Sequence, residues 1–227
     1  MARDAFLERV RQATQAGRAF RVAPHGDVTE TTGYVGGGDD LCATFAAEAN
    51  AVGGRARVVA DFDAARLVLA DWLRERRPAS ALVWRHEVLA KLRLADLLAE
   101  LGVAELDHDT LSAMPPEARR TTTLAADVGI TSADFAIAET GTLVMLARPG
   151  QERLSSLAPP CHIAVIERRQ ILPDLFDLFA ALDDAGHDKL PSNLTLITGP
   201  SKTGDIELQL TTGVHGPGDW RVVVVDS

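Results

Sequence analysis

The chain has 227 residues, of which 46% are hydrophobic and 24% are charged, with 18 glycines and 11 prolines. This composition predicts a folded globular protein and excludes disordered, collagen-like and low-complexity classes. The 32 acidic and 23 basic residues give a formal net charge of −9, which disfavours binding to duplex nucleic acid because such binding needs a basic surface. Two cysteines, Cys42 and Cys161, are too few for the four thiolates that a cubane iron–sulfur cluster or a Cys₄ zinc site takes.

Residues 1–38 are predicted to form a helical arm followed by a loop. Four apolar residues recur at the three- and four-residue spacing of an amphipathic helix over residues 4–16: Phe6, Leu7, Val10 and Ala13. A stretch rich in Gly and Thr follows over residues 24–38 and is expected to be a loop. No apolar run of secretory length begins the chain, and no segment approaches the roughly 18 apolar residues of a membrane span. We therefore expect a cytoplasmic protein.

From residue 39 onward, helix and strand patterns alternate, which predicts a single α/β domain over residues 39–227. Helices are predicted from Asp39 or Asp40 to Val52, from Asp63 to the residue before Pro78, and over residues 89–101 and 173–182. Strands are predicted in the short apolar runs 57–60, 81–84, 103–106, 163–167, 194–197 and 222–225. Strands separated by helices of about 10 to 15 residues are typical of an open, mainly parallel sheet flanked by helices.

One segment, residues 134–147, departs from this alternation. Two apolar runs, 135–138 and 143–146, flank the tetrapeptide Glu139-Thr140-Gly141-Thr142. This pattern predicts a β-hairpin inserted in the domain, because glycine at position 141 is free to adopt a positive φ. Partial burial between the two runs would suit the carboxylate to acid–base or nucleophilic chemistry. A plain turn is the alternative, since Thr-Gly often marks one.

The turn after the predicted strand 194–197 has the composition of an anion-binding loop: Gly199, Pro200, Ser201, Lys202 and Thr203. Its glycine permits close backbone approach, its hydroxyls donate hydrogen bonds and its lysine, one of three in the chain, adds positive charge. In open α/β sheets, ligands bind beyond the carboxyl ends of strands, near helix N-termini. The alternative is a plain turn that leads into a helix, with Thr203 as N-cap. The spacings of a Walker motif and of G-x-G-x-x-G are both missing from the sequence.

A third glycine-rich loop, residues 213–218, precedes the last predicted strand. His215 in this loop is a candidate proton carrier, donor or ligand, with Gly216 beside it, although a lone histidine in such a loop is more often structural. The six histidines show no metal-ligand spacing, so no metal site is predicted. The residue types of a catalytic triad are present in Ser201, His215 and Asp205. The sequence lacks the G-x-S-x-G motif that would support such a triad. Cys161 is either a reactive thiol or, as free cysteines usually are, packed at the start of a buried strand.

Five stretches of this sequence occur in the order and spacing of the LUD domain: residues 129–134, 136–142, 162–165, 199–203 and 213–217. The chain therefore resembles the LUD domain family, and within it the small lactate-utilisation C type. The resemblance is specific over about residues 120–226 and looser before them. One departure is Gly204, where the family usually has Ala.

The resemblance implies a fold similar to that of the sugar-isomerase and CoA-transferase superfamily. It also implies a role in oxidising L-lactate to pyruvate together with two companion proteins that carry iron–sulfur clusters. This chain is then expected to bind no cofactor itself, which agrees with its low cysteine count. Larger relatives in the family include ferredoxin-like cysteine motifs, which this sequence lacks.

Three hypotheses follow. In the first, the chain is the cluster-free subunit of a lactate-oxidising system and holds a small anionic ligand among the three glycine-containing loops. In the second, it is a non-catalytic assembly or regulatory subunit whose arm contacts a partner. In the third, it is a stand-alone isomerase or acyl-CoA transferase with Glu139 as base or nucleophile. The candidate catalytic residues are Glu139 and His215, and the candidate ligand-binding residues are Thr140, Gly141, Thr142, Gly199, Pro200, Ser201, Lys202, Thr203 and Gly216.

Overall fold

The computed structural model describes residues 2–17, 36–186, 190–204 and 211–227. Its contacts divide the chain into two units, Met1–Tyr34 and Val35–Ser227. Among the described residues, none of the helices combines the length and apolarity that crossing a bilayer demands.

The described part of the first unit is one helix, α1 (Ala2–Gly17), which confirms the helix predicted over residues 4–16. Phe6 and Val10 on this helix are 55% and 46% exposed. Most of the loop predicted over residues 24–38 lies outside the described residues, and the proposed domain boundary at residue 38 stays a prediction.

The second unit alternates helices and strands along the chain. Its helices are α2 (Leu41–Ala51), α3 (Phe62–Arg76), α4 (Glu87–Lys91), α5 (Leu94–Glu100), α6 (His108–Ser112), α7 (Pro116–Leu124), α8 (Leu154–Leu157) and α9 (Leu175–Ala185). Its strands are β1 (Arg55–Val59), β2 (Ser80–Val83), β3 (Ala104–Leu106), β4 (Val128–Thr131), β5 (Phe135–Ile137), β6 (Thr142–Leu146), β7 (Cys161–Glu167), β8 (Ile171–Leu172), β9 (Leu194–Ile197), β10 (Lys202–Thr203), β11 (Thr211–Thr212) and β12 (Asp219–Val225).

Six strands form the main sheet in the order β1-β12-β7-β4-β2-β3, and all of its neighbouring strands pair in parallel. The predicted open, mainly parallel sheet flanked by helices is thereby confirmed. Side chains alternate across it with the two-residue period of a strand. Ile163 and Val165 of β7 pack in the apolar cluster that contains α3 and α5, whereas Ala164 and Ile166 pack in the cluster that contains α2.

A second sheet, in the order β8-β5-β6-β9, is built on the predicted hairpin. Strands β5 and β6 are antiparallel, with Phe135 opposite Val144, which confirms the hairpin. The apolar run 194–197 was expected to continue the parallel α/β alternation, and this expectation is wrong, because β9 pairs antiparallel with β6. Helix α9 covers this sheet, with Leu178 and Leu182 packed on Ile137 and Val144.

Several helix bounds differ from the predicted ones for local reasons. Asp61, rather than Asp63, caps α3, because its carboxylate accepts a hydrogen bond from the amide of Ala64 at 2.8 Å. The single helix predicted over residues 89–101 is wrong, because Arg93 adopts a left-handed conformation with φ of 50° and separates α4 from α5. Asp174 caps α9, so that helix begins two residues later than predicted.

Candidate functional site

The hairpin tip is pressed against the last turn of α2. Gly141 has a φ of 60°, and a Cβ placed there would lie 2.4 Å from the amide nitrogen of Ala49. No side chain fits such a contact, and the left-handed conformation itself favours glycine. The positive φ expected at this position is confirmed. Glu139 precedes the tip, is half-buried and donates its backbone N–H to the carbonyl of Pro173 at 3.0 Å.

Threonine hydroxyls connect the hairpin to the end of β9. The Oγ1 atoms of Thr140 and Thr142 are 2.7 Å apart, and Thr142 Oγ1 is also 2.7 Å from Thr198 Oγ1. These distances are hydrogen bonds between hydroxyls. The turn that begins at Gly199 therefore starts beside the hairpin tip.

That turn packs against the same end of α2. Gly199 has a φ of 83°, and a Cβ there would lie 2.9 Å from a methyl carbon of Val52. Lys202 donates from Nζ to the carbonyl of Val52, the C-cap residue of α2, at 2.5 Å. Helix C-termini carry unpaired carbonyls and a partial negative charge, so the ammonium stabilises this helix end. Pro200 also lies beside this helix end, because its Cγ is 3.7 Å from the position of a Cβ built on Gly53.

The loop 213–217 is joined to this turn through Ser201. The Ser201 amide donates to the carbonyl of Pro217, and the Gly213 amide donates to the carbonyl of Ser201, each at 2.9 Å. A Cβ on Gly216 would lie 3.2 Å from the Ser201 Cβ. His215 itself is exposed, and among the described residues the structure shows no hydrogen bond to its ring.

These contacts bring the hairpin tip and the 199–203 turn to one end of α2, and the 213–217 loop joins them through Ser201. Gly141 contacts the helix at Ala49 and Lys202 contacts it at Val52, positions about 5 Å apart along a helix. The site was nevertheless expected beyond a strand of the parallel sheet and near a helix N-terminus, whose partial positive charge attracts anions. That expectation is wrong. The turn follows β9, which lies outside the parallel sheet, and the helix end that faces it is a C-terminus. Lys202, hydroxyls and amides would have to hold an anion here without a helix dipole.

Lys202 and Thr203 form strand β10, paired with β11, and the helix that the alternative interpretation places after Thr203 falls mostly outside the described residues. Asp205, the third member of the candidate triad, lies outside the described residues. The 199–203 turn thus ends in a short strand.

Both cysteines are buried. Cys161 is fully buried at the start of β7, and burial raises the pKa of its thiol to about 12. Burial also raises the pKa of the Cys42 thiol to about 11. Because the thiolate is the nucleophile, the reactive-thiol alternative for Cys161 is wrong and its expected packing at a strand start is confirmed.

His162, next to Cys161, is completely buried in β7. Its Nε2 is 2.8 Å from the hydroxyl of Thr131, and its Nδ1 has no hydrogen-bond partner among the described residues. Burial lowers the pKa of His162 from its ordinary value of 6.5 to about 3. The imidazole therefore stays neutral in the folded protein at every pH above about 3.

We expect this histidine to make folding stability fall as the pH drops below about 6.5. Between pH 6.5 and 3 the unfolded chain takes up a proton at His162 that the native state does not, so stability rises with pH across this window. From pH 7 to 5.5, the wild type should lose about 1 kcal/mol more unfolding free energy than His162→Gln. Urea titrations at the two pH values measure this, and equal losses in both proteins would contradict it.

A cavity of about 520 Å³ lies elsewhere, beyond the carboxyl ends of β2 and β3. None of the predicted site residues lines it. Its polar lining includes His108, Arg119, Arg120 and Glu152. Sequence patterns predicted no element over residues 107–133, which hold His108, Arg119 and Arg120, and no role for Glu152. The signal that could have indicated this cavity is the adjacent pair Arg119-Arg120 in an acidic chain.

The architecture defines an α/β protein with an open parallel sheet and a hairpin-based second sheet, in which three glycine-containing loops meet at one helix end. Residues 42–225 match the LUD domain, and the chain belongs to the LUD domain family. Every residue of the predicted site lies within the matched range.

The relatives of this chain include proteins named Lactate utilization protein C. That of Exiguobacterium sp. is 43% identical over 104 residues, which are 45% of each chain. That of Halalkalibacterium halodurans is 33% identical over 156 residues, covering 68% of this chain and 66% of the relative. This chain thus aligns with about half to two thirds of the length of these relatives.

A solved structure shares the fold. The crystal structure of a DUF162 family protein from Deinococcus radiodurans matches with a TM-score of 0.54 and 23% sequence identity, over 82% of this chain and 96% of that one. At this identity the similarity concerns the fold.

Proposed function

We propose that the chain is a cluster-free component of an L-lactate utilisation system and binds a small anionic ligand at the C-terminal end of α2. The observation that carries the proposal is the convergence of the hairpin tip, the 199–203 turn and the 213–217 loop at that helix end. The names of its relatives supply the metabolic context. Partner proteins would carry the iron–sulfur clusters that oxidise lactate to pyruvate.

In this proposal Lys202 is the principal anion contact. One of its three N–H groups bonds the Val52 carbonyl, which holds the ammonium in place and leaves two N–H groups for a ligand. Ser201 and Thr203 add hydroxyls, Glu139 is the acid, base or nucleophile, and His215 on its exposed loop is a further donor. Loss of the Lys202 contact should cost about 1–3 kcal/mol of binding free energy.

A second function, assembly without catalysis, is favoured by a different observation. Gly141, Gly199 and Lys202 each make a contact that stabilises the fold around α2, whether or not a ligand binds. In that case the loops are structural and the chain serves to hold or regulate its cluster-bearing partners. The exposed apolar residues of α1 would suit a partner contact.

The test compares Lys202→Ala and Glu139→Gln with the wild type, each as the full chain together with its companion proteins. Under the first proposal, Glu139→Gln abolishes lactate oxidation while the complex still co-purifies. Lys202→Ala weakens ligand binding about 5- to 150-fold, as expected for 1–3 kcal/mol. Calorimetry with lactate, pyruvate, phosphate and CoA measures the binding.

Glu100→Gln is the matched control, because the exposed Glu100 pairs with the half-buried Arg66 on the opposite face of the main sheet. It should leave both activity and binding unchanged. If Glu139→Gln and Lys202→Ala retain full lactate oxidation and deletion of the arm prevents co-purification, the assembly function replaces the ligand-binding one. Binding of none of the four compounds by the assembled complex removes the anion site.

A further inference from the structure

We propose that the cavity beyond the carboxyl ends of β2 and β3 is a binding site for an organic anion with an apolar body and a carboxylate or phosphate head group. This site is separate from the loop cluster at α2, and the inference does not depend on the proposed role in lactate utilisation. The cavity, of about 520 Å³, falls within the usual range for small-molecule and cofactor sites.

Its position is the first argument. After β2 the chain crosses to α5, whose Leu97 and Leu98 pack on the α3 side of the main sheet. After β3 it crosses instead to α6, whose Leu111 packs on the other side with Leu82 and Leu106. The next strand, β4, then returns to the far edge of β2. Adjacent strands whose connections leave on opposite faces form the crevice where open α/β sheets bind ligands.

The lining has the mixed character of a ligand site. Seven of its fourteen residues are apolar, among them Leu82, Leu106, Leu124 and Leu154. Leu124 and Leu154 are 57% and 49% exposed, so apolar surface is open to solvent at the cavity. An apolar part of a ligand would remove this surface from water and be stabilised by doing so.

Positive charge on α7 is the second argument. Arg119 and Arg120 both line the cavity, and the buried Thr123, four and three residues later on the same helix, lines it as well. Within the described residues, neither guanidinium has an ion pair or a side-chain hydrogen bond. Two unpaired guanidinium groups beside an apolar cavity fit the head group of an organic carboxylate or phosphate.

A histidine–glutamate pair forms the other polar wall. His108 Nδ1 is 2.5 Å from Glu152 Oε1. With Nδ1 donating to the carboxylate, Nε2 is the ring nitrogen left to form a hydrogen bond with a ligand.

The pair is held rigidly by the chain that follows β2. Trp84 donates its indole N–H to the Glu152 carbonyl at 3.0 Å, and the Gly150 amide donates to Glu152 Oε1 at 3.0 Å. The Arg85 amide donates to the Gly150 carbonyl at 2.7 Å. Side chains positioned this way meet a ligand without first losing conformational freedom, which favours binding.

The test measures binding of 1-anilinonaphthalene-8-sulfonate, an anion with an aromatic body, to the folded full chain by fluorescence. Octanoate and AMP are the competitors, and they distinguish a carboxylate from a phosphate head group. We expect the probe to bind at one saturable site and at least one of the two competitors to displace it. The double variant Arg119→Gln/Arg120→Gln should weaken probe binding about tenfold or more. Ser112→Trp, which places a large ring at the cavity wall, should weaken it independently.

Arg74→Gln is the matched control. Arg74 lies on α3, on the opposite face of the main sheet, in an exposed pair with Asp71. This variant should bind the probe like the wild type, whatever the loop cluster does in lactate oxidation. Unchanged probe affinity in the folded double arginine variant overturns the proposal, as does a probe that neither octanoate nor AMP displaces.

Discussion

Replacing Gly129 by alanine is expected to destabilise the protein by about 3 kcal/mol or more, as overpacking of a rigid site does. Gly129 lies in the centre of β4, and a Cβ there would be 1.6 Å from the carbonyl oxygen of Ser155 and 2.8 Å from its carbonyl carbon. These are backbone atoms of α8, which packs directly on the strand, so no side-chain rotation relieves the clash. Urea unfolding of both proteins measures the difference.

Gly204→Ala is the matched control for this substitution. Nothing lies within 4 Å of a Cβ at Gly204, and its φ is outside the left-handed range. Alanine there should therefore change stability by less than about 1 kcal/mol, with a small gain from the stiffer unfolded chain. Equal stabilities of the two variants would show that α8 does not rest on β4 as described.

Arg221→Met is expected to cost about 2 kcal/mol, because it removes a buried guanidinium and leaves the half-buried carboxylate of Asp219 with Arg76 as its remaining partner. The Arg221 side chain is 3% exposed and donates to both carboxylate oxygens of Asp219, at 2.6 to 3.1 Å, and to Glu75 at 2.9 Å. Its guanidinium also lies 5.6 Å from the ring centre of Trp72. Methionine preserves most of the apolar stem but none of the hydrogen bonds.

Chemical unfolding at neutral pH, compared with Arg74→Gln, measures this cost. Arg74 and Asp71 form an exposed pair, whose loss should change stability by less than about 1 kcal/mol. Arg221, Asp219 and Glu75 form a charged cluster at the amino-terminal edge of the sheet. If Arg221→Met proves as stable as Arg74→Gln, this cluster contributes no net stabilisation.

The same cluster predicts a pH dependence. Burial alone would raise the pKa of Asp219, but the hydrogen bonds and charge of Arg221 outweigh it and hold that pKa below its ordinary value. The stabilisation is therefore complete above the ordinary pKa of about 4 and is lost as the pH falls below it. Arg221→Met should show a smaller loss of stability in this acid range.

Much of the fold was predictable because its patterns are local. Strand β7 is a run of apolar residues, and β12 ends in one, between turns. The cap at Asp40 lies directly before the first turn of α2. The tip at Gly141 needs a backbone conformation that glycine adopts freely. Each of these features depends on residues only a few positions apart.

The errors occur where a segment's partner decides its structure. Strand β9 is a four-residue apolar run that would suit a parallel or an antiparallel neighbour, and its pairing with β6 follows from long-range packing. Arg93 adopts a left-handed conformation, and an arginine in the sequence does not indicate such a conformation. The contact of Lys202 with Val52, which no sequence pattern predicted, depends on where α2 ends.

The spacing of apolar residues, caps and glycines along the chain determined that this is an α/β protein with a hairpin, since those preferences act within one helix or strand. Which sheet each strand joins, which helix end the glycine loops meet, and the cavity where His108, Arg120 and Glu152 come together were decided by the tertiary structure. The reason is that packing between segments far apart in sequence contributes the free energy that selects among locally equivalent arrangements.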